Sequence, residues 1–293
     1  MASGRVGSAA VREIWHYPVK SMAGVLLEAC DLTADGFVGD RGWAVRDEKR
    51  KCITDARSLP ALLDVEVRYT RPPVSGESAP PVELRLPGTR TVTSEDGDVH
   101  EALTEYLGTD VTLWPRLPED RREHYLRVYP EDVTGYLTDL FGVTEPDDLP
   151  DLSQLPPALA EFQTIPGSYF DAYPVHLVTT GTLDALATAL DRPVDVRRLR
   201  PNLVVEGPAE ADEDWTGREL RLGDAVVRIE ARCPRCVMIS RPRQGLPTDR
   251  DLLRTVHRDF GHNAGYYASV VQPGRVASGD PVDSASDRPR TTA

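Results

Sequence analysis

The chain has 293 residues, enough for one large domain or two ordinary ones, and its 40% apolar content is that of a globular protein. A formal net charge of −13 repels nucleic acid and anionic membranes, but a local basic pocket survives it because distant charges are screened within about 8 Å. Four cysteines at this length make no disulfide scaffold. The longest apolar runs, such as Val25-Leu26-Leu27 and Val175-His176-Leu177-Val178, are far too short to span a bilayer, and Met1 to Ala10 lacks a signal peptide's apolar core. These features predict a cytoplasmic protein with neither a membrane span nor a nucleic-acid partner.

In chain order, Val11 to Val19, Val25 to Leu32, Gly42 to Arg46 and Leu63 to Tyr69 read as strands, rich in β-branched and aromatic residues and bounded by Gly, Pro or Asp. Val65 to Tyr69 alternates apolar and polar, the pattern of a half-buried strand. Arg71 to Pro81 is a Pro/Ser/Gly loop. A short helix follows over Val99 to Leu107, with Asp98 as N-cap and Gly108 as terminator. Thr144 to Gly167 is dense in Pro and Asp and marks a domain boundary. Beyond it, Pro174 to Thr179 reads as a buried strand. Thr180 or Thr182 then caps a helix whose Leu183, Leu186, Ala187 and Leu190 share one face, and Asp191-Arg192-Pro193 ends it.

Further strands are expected at Leu203 to Glu206, Glu219 to Leu222, Ala225 to Ala231 and Tyr266 to Val271, with Val237 to Ile239 reading as more strand. A helix from about Asp249 to Phe260, capped by Thr248 and stopped by Gly261, buries Leu252, Leu253, Val256 and Phe260. Asp283 to Ala293 reads as a polar, disordered tail. Two strand-rich parts with few helices predict an α+β fold built on closed or nearly closed β-barrels.

Cys233-Pro234-Arg235-Cys236 is the sharpest local signal. One reading is a thioredoxin-like redox pair, which wants a helix after the motif. A second is a zinc site completed by His257 and His262, although its spacer is longer than a zinc finger's. The third is a single metal-binding thiolate, with Arg232 and Arg235 expected to lower the thiol's pKa. Cys30 and Cys52 read as small core or strand residues. Four weaker constellations accompany the motif. Lys20 and Ser21 end a strand as a cation and a hydroxyl suited to phosphate. Arg41 is delivered by the Gly39 to Gly42 turn. Asn202, after Arg200-Pro201, offers both a donor and an acceptor to a pterin edge. Thr180 lies at a helix N-terminus, which favours an anion.

Taken together and in this order, these segments resemble the MOSC family, named for the C-terminal domain of molybdenum cofactor sulfurase. The likeness is to its two-part type, as in bacterial members and the mitochondrial amidoxime-reducing component. Residues 11–115 are similar to the family's N-terminal β-barrel domain, through Tyr17-Pro18-Val19-Lys20-Ser21 and Gly39-Asp40-Arg41-Gly42-Trp43. Residues 116–167 would connect, residues 160–283 would form the MOSC β-barrel domain, and 284–293 would be the tail. The second match rests on Arg200-Pro201-Asn202, Asp214-Trp215-Thr216-Gly217-Arg218, Leu222-Gly223-Asp224, Cys233-Pro234-Arg235-Cys236, Pro273-Gly274 and Gly279-Asp280-Pro281-Val282.

The resemblance implies molybdenum cofactor, not pyridoxal phosphate, with Cys236 as metal ligand and catalytic residue. It implies that Lys20, Ser21, Arg41, Thr180, Arg200, Asn202 and Arg235 grip the pterin and its phosphate, leaving Cys233 a neighbour. The implied activity is reduction of small N-hydroxylated or N-oxide substrates by oxygen transfer to the metal. A separate flavin, iron–sulfur or haem reductase would supply electrons, since the chain has no Gly-rich dinucleotide fingerprint. The alternative is a carrier of cofactor or of persulfide sulfur. Relatives of the amidoxime-reducing component run Thr-Thr-Val-Asp-Pro after the cysteine, where this chain has Val237-Met238-Ile239-Ser240-Arg241-Pro242, and Gly181 stands where Ser or Ala is usual. Arg241 is therefore expected to face the substrate and to favour an anionic one.

Overall fold

The computed structural model describes residues 9–88 and 90–285. Its centre is a closed ring of seven strands. Starting from Ala9–His16, the ring passes through Leu203–Val205, Val175–Thr179, Asn263–Gln272, Ala225–Pro234, Glu219–Leu222 and Pro281–Ser284, then returns to Ala9–His16. Neighbours are antiparallel except Val175–Thr179 and Leu203–Val205, a parallel pair joined by a helical crossover, the connection parallel strands require. Alternate residues point inward, as the two-residue period of a strand dictates. Val175 and Leu177, Leu220 and Leu222, Val227 and Ile229, and Tyr266 and Ala268 fill the ring with Val11 and Ile14 from the first strand. The expected α+β, barrel-based architecture is therefore present, and its barrel is closed by the first strand of the chain.

Val25–Leu27 pairs with the end of Ala9–His16 outside the ring, and the other N-terminal strands form small three-stranded sheets. One joins Trp43–Asp47 to Cys52–Ile53 and Val111–Pro115, and another joins Glu66–Tyr69, Val82–Arg85 and Thr91–Thr93. Their apolar faces meet under helix α1 (Val99–Leu107) in a second core that includes Val19, Val45, Leu84 and Leu103. A third sheet pairs Ala29–Thr33 with Gly36–Phe37 and with Gly274–Ala277 from the far end of the chain.

Residues 116–167 contain more helix than the sequence reading found: α2 (Arg122–Tyr125) and α3 (Val133–Phe141). Asp132 caps α3 by accepting from Gly135 N–H at 2.8 Å, and Gly142 ends it at φ 67. Helix α4 (Thr180–Leu190) is capped by Thr179, not by Thr180 or Thr182: the Thr179 hydroxyl accepts from Thr182 N–H at 3.1 Å. Helix α5 (Arg250–Asp259) is capped by Asp249, not Thr248. Residues Val237–Ser240 are a 3-10 turn, not strand, closed by the Ser240 hydroxyl on Val237 O. Asp283 and Ser284, read as part of a tail, belong to strand Pro281–Ser284, which completes the ring; residues 286–293 lie outside the described residues.

Candidate active site

Seven of the eight residues singled out in the sequence line one cavity: Lys20, Ser21, Arg41, Arg200, Asn202, Arg235 and Cys236. Each arrives from a different break in the regular structure. Lys20 and Ser21 follow the first ring strand, where Lys20 N–H bonds Trp43 O at 2.8 Å. Arg41 rides the turn closed by Gly42 N–H on Gly39 O. Arg200 ends the 3-10 turn Val196–Arg198. Cys236 stands where strand Ala225–Pro234 gives way to the next 3-10 turn. Seven described non-glycine residues have positive φ, and Ser21 (φ 68), Arg41 (φ 49) and Arg200 (φ 54) are among them. Left-handed backbone costs about 1–3 kcal/mol per non-glycine residue, so three such residues at one cavity mark it as a place where geometry outranks stability.

The eighth residue, Thr180, is elsewhere. Its hydroxyl accepts from Gly207 N–H at 3.4 Å. A Cβ on Gly181 would meet Ala209 N at 2.4 Å and Pro208 C at 2.5 Å, so backbone already packs against the start of α4.

Five cations line the cavity, Lys20, Arg41, Arg198, Arg200 and Arg235, against one carboxylate, Asp171. Lys20 is buried, and its Nζ donates to Tyr169 O at 3.1 Å and to Asp171 Oδ1 at 2.5 Å. Arg41 pairs with Asp40, whose carboxylate also accepts from Tyr17 N–H at 2.7 Å and from Asn202 Nδ2 at 3.0 Å. Arg198 pairs with Asp249 at 3.6 Å. Arg200 and Arg235 have no ion pair among the described residues. Arg200 lies over the Tyr17 ring at 4.3 Å, and Arg41 lies at 5.0 Å from the same ring. Asn202 is fully engaged: besides Asp40 it donates to Trp15 O at 3.3 Å and accepts from His176 N–H at 3.2 Å. It fixes the Asp40 carboxylate and thereby Arg41.

The expectation that arginines lower the Cys236 thiol is corrected by burial. Loss of hydration raises the thiol above its ordinary value, and Arg57, the Met238 backbone and Arg235 only partly offset this. Arg232 is not at the site; it reaches Glu210 O at 3.1 Å and Asp214 at 3.0 Å. Arg241 does not line the cavity either, its guanidinium meeting Arg57 O at 3.4 Å. Sequence reading missed Arg57, Asp55, Asp171, His176 and Tyr267. Arg57 is fixed by Asp55 through an Nε bond of 2.8 Å. No local motif surrounds any of these five, and long-range folding alone gathers them.

The zinc arrangement is not formed: among the described residues no three His, Cys, Asp or Glu side chains converge as a metal site. His257 and His262 stack on each other with centroids 4.4 Å apart, and Cys233 faces Arg235. The cavity lining offers one thiol, Cys236, among five cations. That donor set suits a metal that brings sulfur ligands and an anionic group of its own.

Three buried histidines give the fold a pH signature. Burial, with Arg46 nearby, pushes His124 down to about 4; burial and Arg235 push His176 well below its ordinary value, and burial also lowers His16. In the unfolded chain each titrates near about 6.5, so below that pH the unfolded state binds protons the native state refuses. The urea midpoint is expected to fall steadily from pH 7 to pH 5. A flat profile over that interval would show that these rings are not held neutral.

Residues 166–283 match the model described as MOSC domain, and residues 8–112 the one described as MOSC N-terminal beta barrel domain. The chain is 27% identical to mitochondrial amidoxime reducing component 2 of Rattus norvegicus, over 93% of this chain and 82% of that protein. It is 26% identical to the Homo sapiens component 2 and 24% to the Homo sapiens component 1, each over 93% of this chain and 82% of the relative. The cytoplasmic expectation is overturned here, because the eight relatives matched at this level are all named as mitochondrial components. Its grounds were unpaired cysteines and short apolar runs, and these do not separate one reducing compartment from another. Among the described residues no helix is long and apolar enough to cross a membrane.

Proposed function

The chain belongs to the MOSC domain family, with both of that family's modules matched in order, and from this membership we propose an oxidoreductase that works with molybdenum cofactor and reduces N-hydroxylated compounds. The observation that carries the reading is one thiol, Cys236, in a cavity where Arg200 and Arg235 lack a carboxylate partner among the described residues. The names of the relatives support the substrate class, an amidoxime or similar N-hydroxylated compound.

When bound, the cofactor supplies a two-electron centre with sulfur ligands of its own, able to take the oxygen of an N-hydroxyl group as the amine or amidine leaves. Cys236 would hold the metal as thiolate, giving up the proton that burial favours on the free thiol. Lys20, Arg200 and Arg235 grip the phosphate, with Ser21 adding a hydroxyl donor. Arg41 is aimed by Asp40, which Asn202 fixes in turn. The free space in the cavity is about 80 Å³, while sites for ligands of pterin size run to roughly 300 Å³ or more. A group of that size would therefore require the lining to open. Electrons come from a separate reductase.

The test is turnover. Molybdenum-loaded protein with an artificial electron donor is expected to reduce a neutral amidoxime, or a hydroxylamine, to its deoxygenated product. A carboxylate-bearing N-hydroxy compound should be run beside it, since the cavity is cationic. If protein whose metal the donor visibly reduces turns over none of these, the enzyme reading fails and a carrier of cofactor takes its place.

A further inference from the structure

The first cysteine of the Cys-Pro-Arg-Cys motif and one buried histidine take no part in the chemistry proposed above, yet both bond the same guanidinium. Arg235 Nη1 donates to Cys233 Sγ at 2.9 Å and to His176 Nε2 at 3.2 Å, and Nη2 donates to Leu199 O at 2.6 Å. Cys233 is 2% exposed, His176 6% and Arg235 8%. The other ring nitrogen of His176 faces Arg200 O at 3.2 Å, so that nitrogen carries the proton and Nε2 accepts. One imidazole thus ties together the two cavity arginines that lack ion pairs. It holds the Arg235 side chain directly and holds Arg200 through the carbonyl of its left-handed residue. Arg235 Nε is buried with no partner. Gly265 makes room for this ring: a Cβ there would lie 2.9 Å from His176 Nε2.

The three acceptors are a cysteine sulfur, an imidazole and a carbonyl, and none is a carboxylate. Lys20, Arg41 and Arg198 are held differently, each by a carboxylate. A carboxylate would fix Arg235 equally well, but it would cancel the charge it fixed. Neutral acceptors fix the fork and leave its charge available to an anion. We propose that Cys233 and His176 are positioning residues whose function is to hold Arg235 without neutralising it, so that an oxyanion entering the Cys236 cavity meets Arg235 and Arg200 at full charge. Cys233 is on this account neither a redox partner of Cys236 nor a metal ligand. The inference rests on the site described above but does not require that molybdenum be its occupant.

Two nearly isosteric replacements test it. Cys233→Asn offers Arg235 a neutral amide oxygen, and Cys233→Asp offers a carboxylate of the same shape. The probe is inorganic phosphate, titrated by calorimetry into the cofactor-free chain at low salt and neutral pH, with melting curves run on each variant. Cys233→Asn is expected to bind phosphate within about threefold of the unaltered chain, and Cys233→Asp at least about tenfold more weakly. His176→Gln, which keeps a neutral acceptor, should stay closer to the unaltered chain than His176→Leu. Equal phosphate affinity in the Asn and Asp variants would overturn the proposal, and so would an unaltered chain that binds no phosphate. If the Asp variant fails to fold, the His176 pair decides, with equal affinities counting against the proposal. Molybdenum content of cofactor-loaded protein is a separate measurement, so the failure of the cofactor reading would be seen independently of this one.

Discussion

Cys236→Ala protein, purified from a host that makes molybdenum cofactor, is expected to hold about a tenth or less of the molybdenum of the unaltered chain and to show no reductase activity. Loss of a group that merely orients a metal ligand typically costs 10- to 100-fold in affinity, and Cys236 is the ligand itself. The cavity lining holds no second thiol to take over. Cys233→Ala should keep most of the metal, because its sulfur touches Arg235 and its loss only loosens one anion contact. Elemental analysis per mole of chain decides. Equal loss in both variants, with zinc the metal recovered, would reject the single-thiolate site.

Arg200→Ala should lower cofactor occupancy about tenfold or more when cofactor is scarce, at little cost in melting temperature. A charge-assisted contact to phosphate contributes roughly 1.5–3 kcal/mol, and about 1.4 kcal/mol is already a factor of ten. Arg200 is released cheaply because its side chain makes no ion pair among the described residues and packs only over Tyr17. Arg41→Ala should behave differently. Asp40 is fully buried as a side chain, so removing its guanidinium partner strands a charge, and both occupancy and stability fall. Measured side by side, the two variants separate an arginine kept for the ligand from one that is also needed by the fold. A melting point that dropped equally in both would contradict that division.

The motif-bearing residues were legible in the sequence because each sits where a strand ends in a turn, and turns announce themselves locally. Tyr17 to Ser21, Gly39 to Trp43 and Cys233 to Cys236 all precede or follow a recognisable strand. Arg57, Asp55, Asp171 and His176 were not legible. Asp171 and His176 act through partners far along the chain, Lys20 and Arg235, and although Asp55 and Arg57 pair two residues apart, nothing local shows that the pair lies near Cys236. The thiol's pKa was misread for the same reason: neighbouring arginines are visible in a sequence, but the depth of burial that outweighs them is not. Val237–Ser240 misled because its apolar side chains, read alone, suit a strand; a hydroxyl bond from Ser240 to Val237 O instead accompanies a tight turn. Helix α3 lies before the Pro- and Asp-rich stretch Thr144 to Gly167, in a segment read only as a connection, although Asp132 and Gly142 mark its ends.

The closure of the ring by Ala9–His16 sets an order of events during synthesis. That strand leaves the ribosome well before its partners Leu203–Val205 and Pro281–Ser284, and the Asn202 to Trp15 bond joins positions 187 residues apart. Until they arrive, Ala9–His16 has only the nearby Val25–Leu27 to pair with, the edge that takes Leu203–Val205 is open, and the barrel has no lid on its apolar interior. So large a loop must be closed before its contacts return any free energy, which makes the final step slow and late. The anion-gripping cavity is built on the same seam, with Lys20 and Arg41 on one side and Arg200 and Arg235 on the other. The cavity is therefore not complete until Pro281–Ser284 has closed the ring, and a chain halted short of residue 281 is expected to aggregate rather than to fold in part.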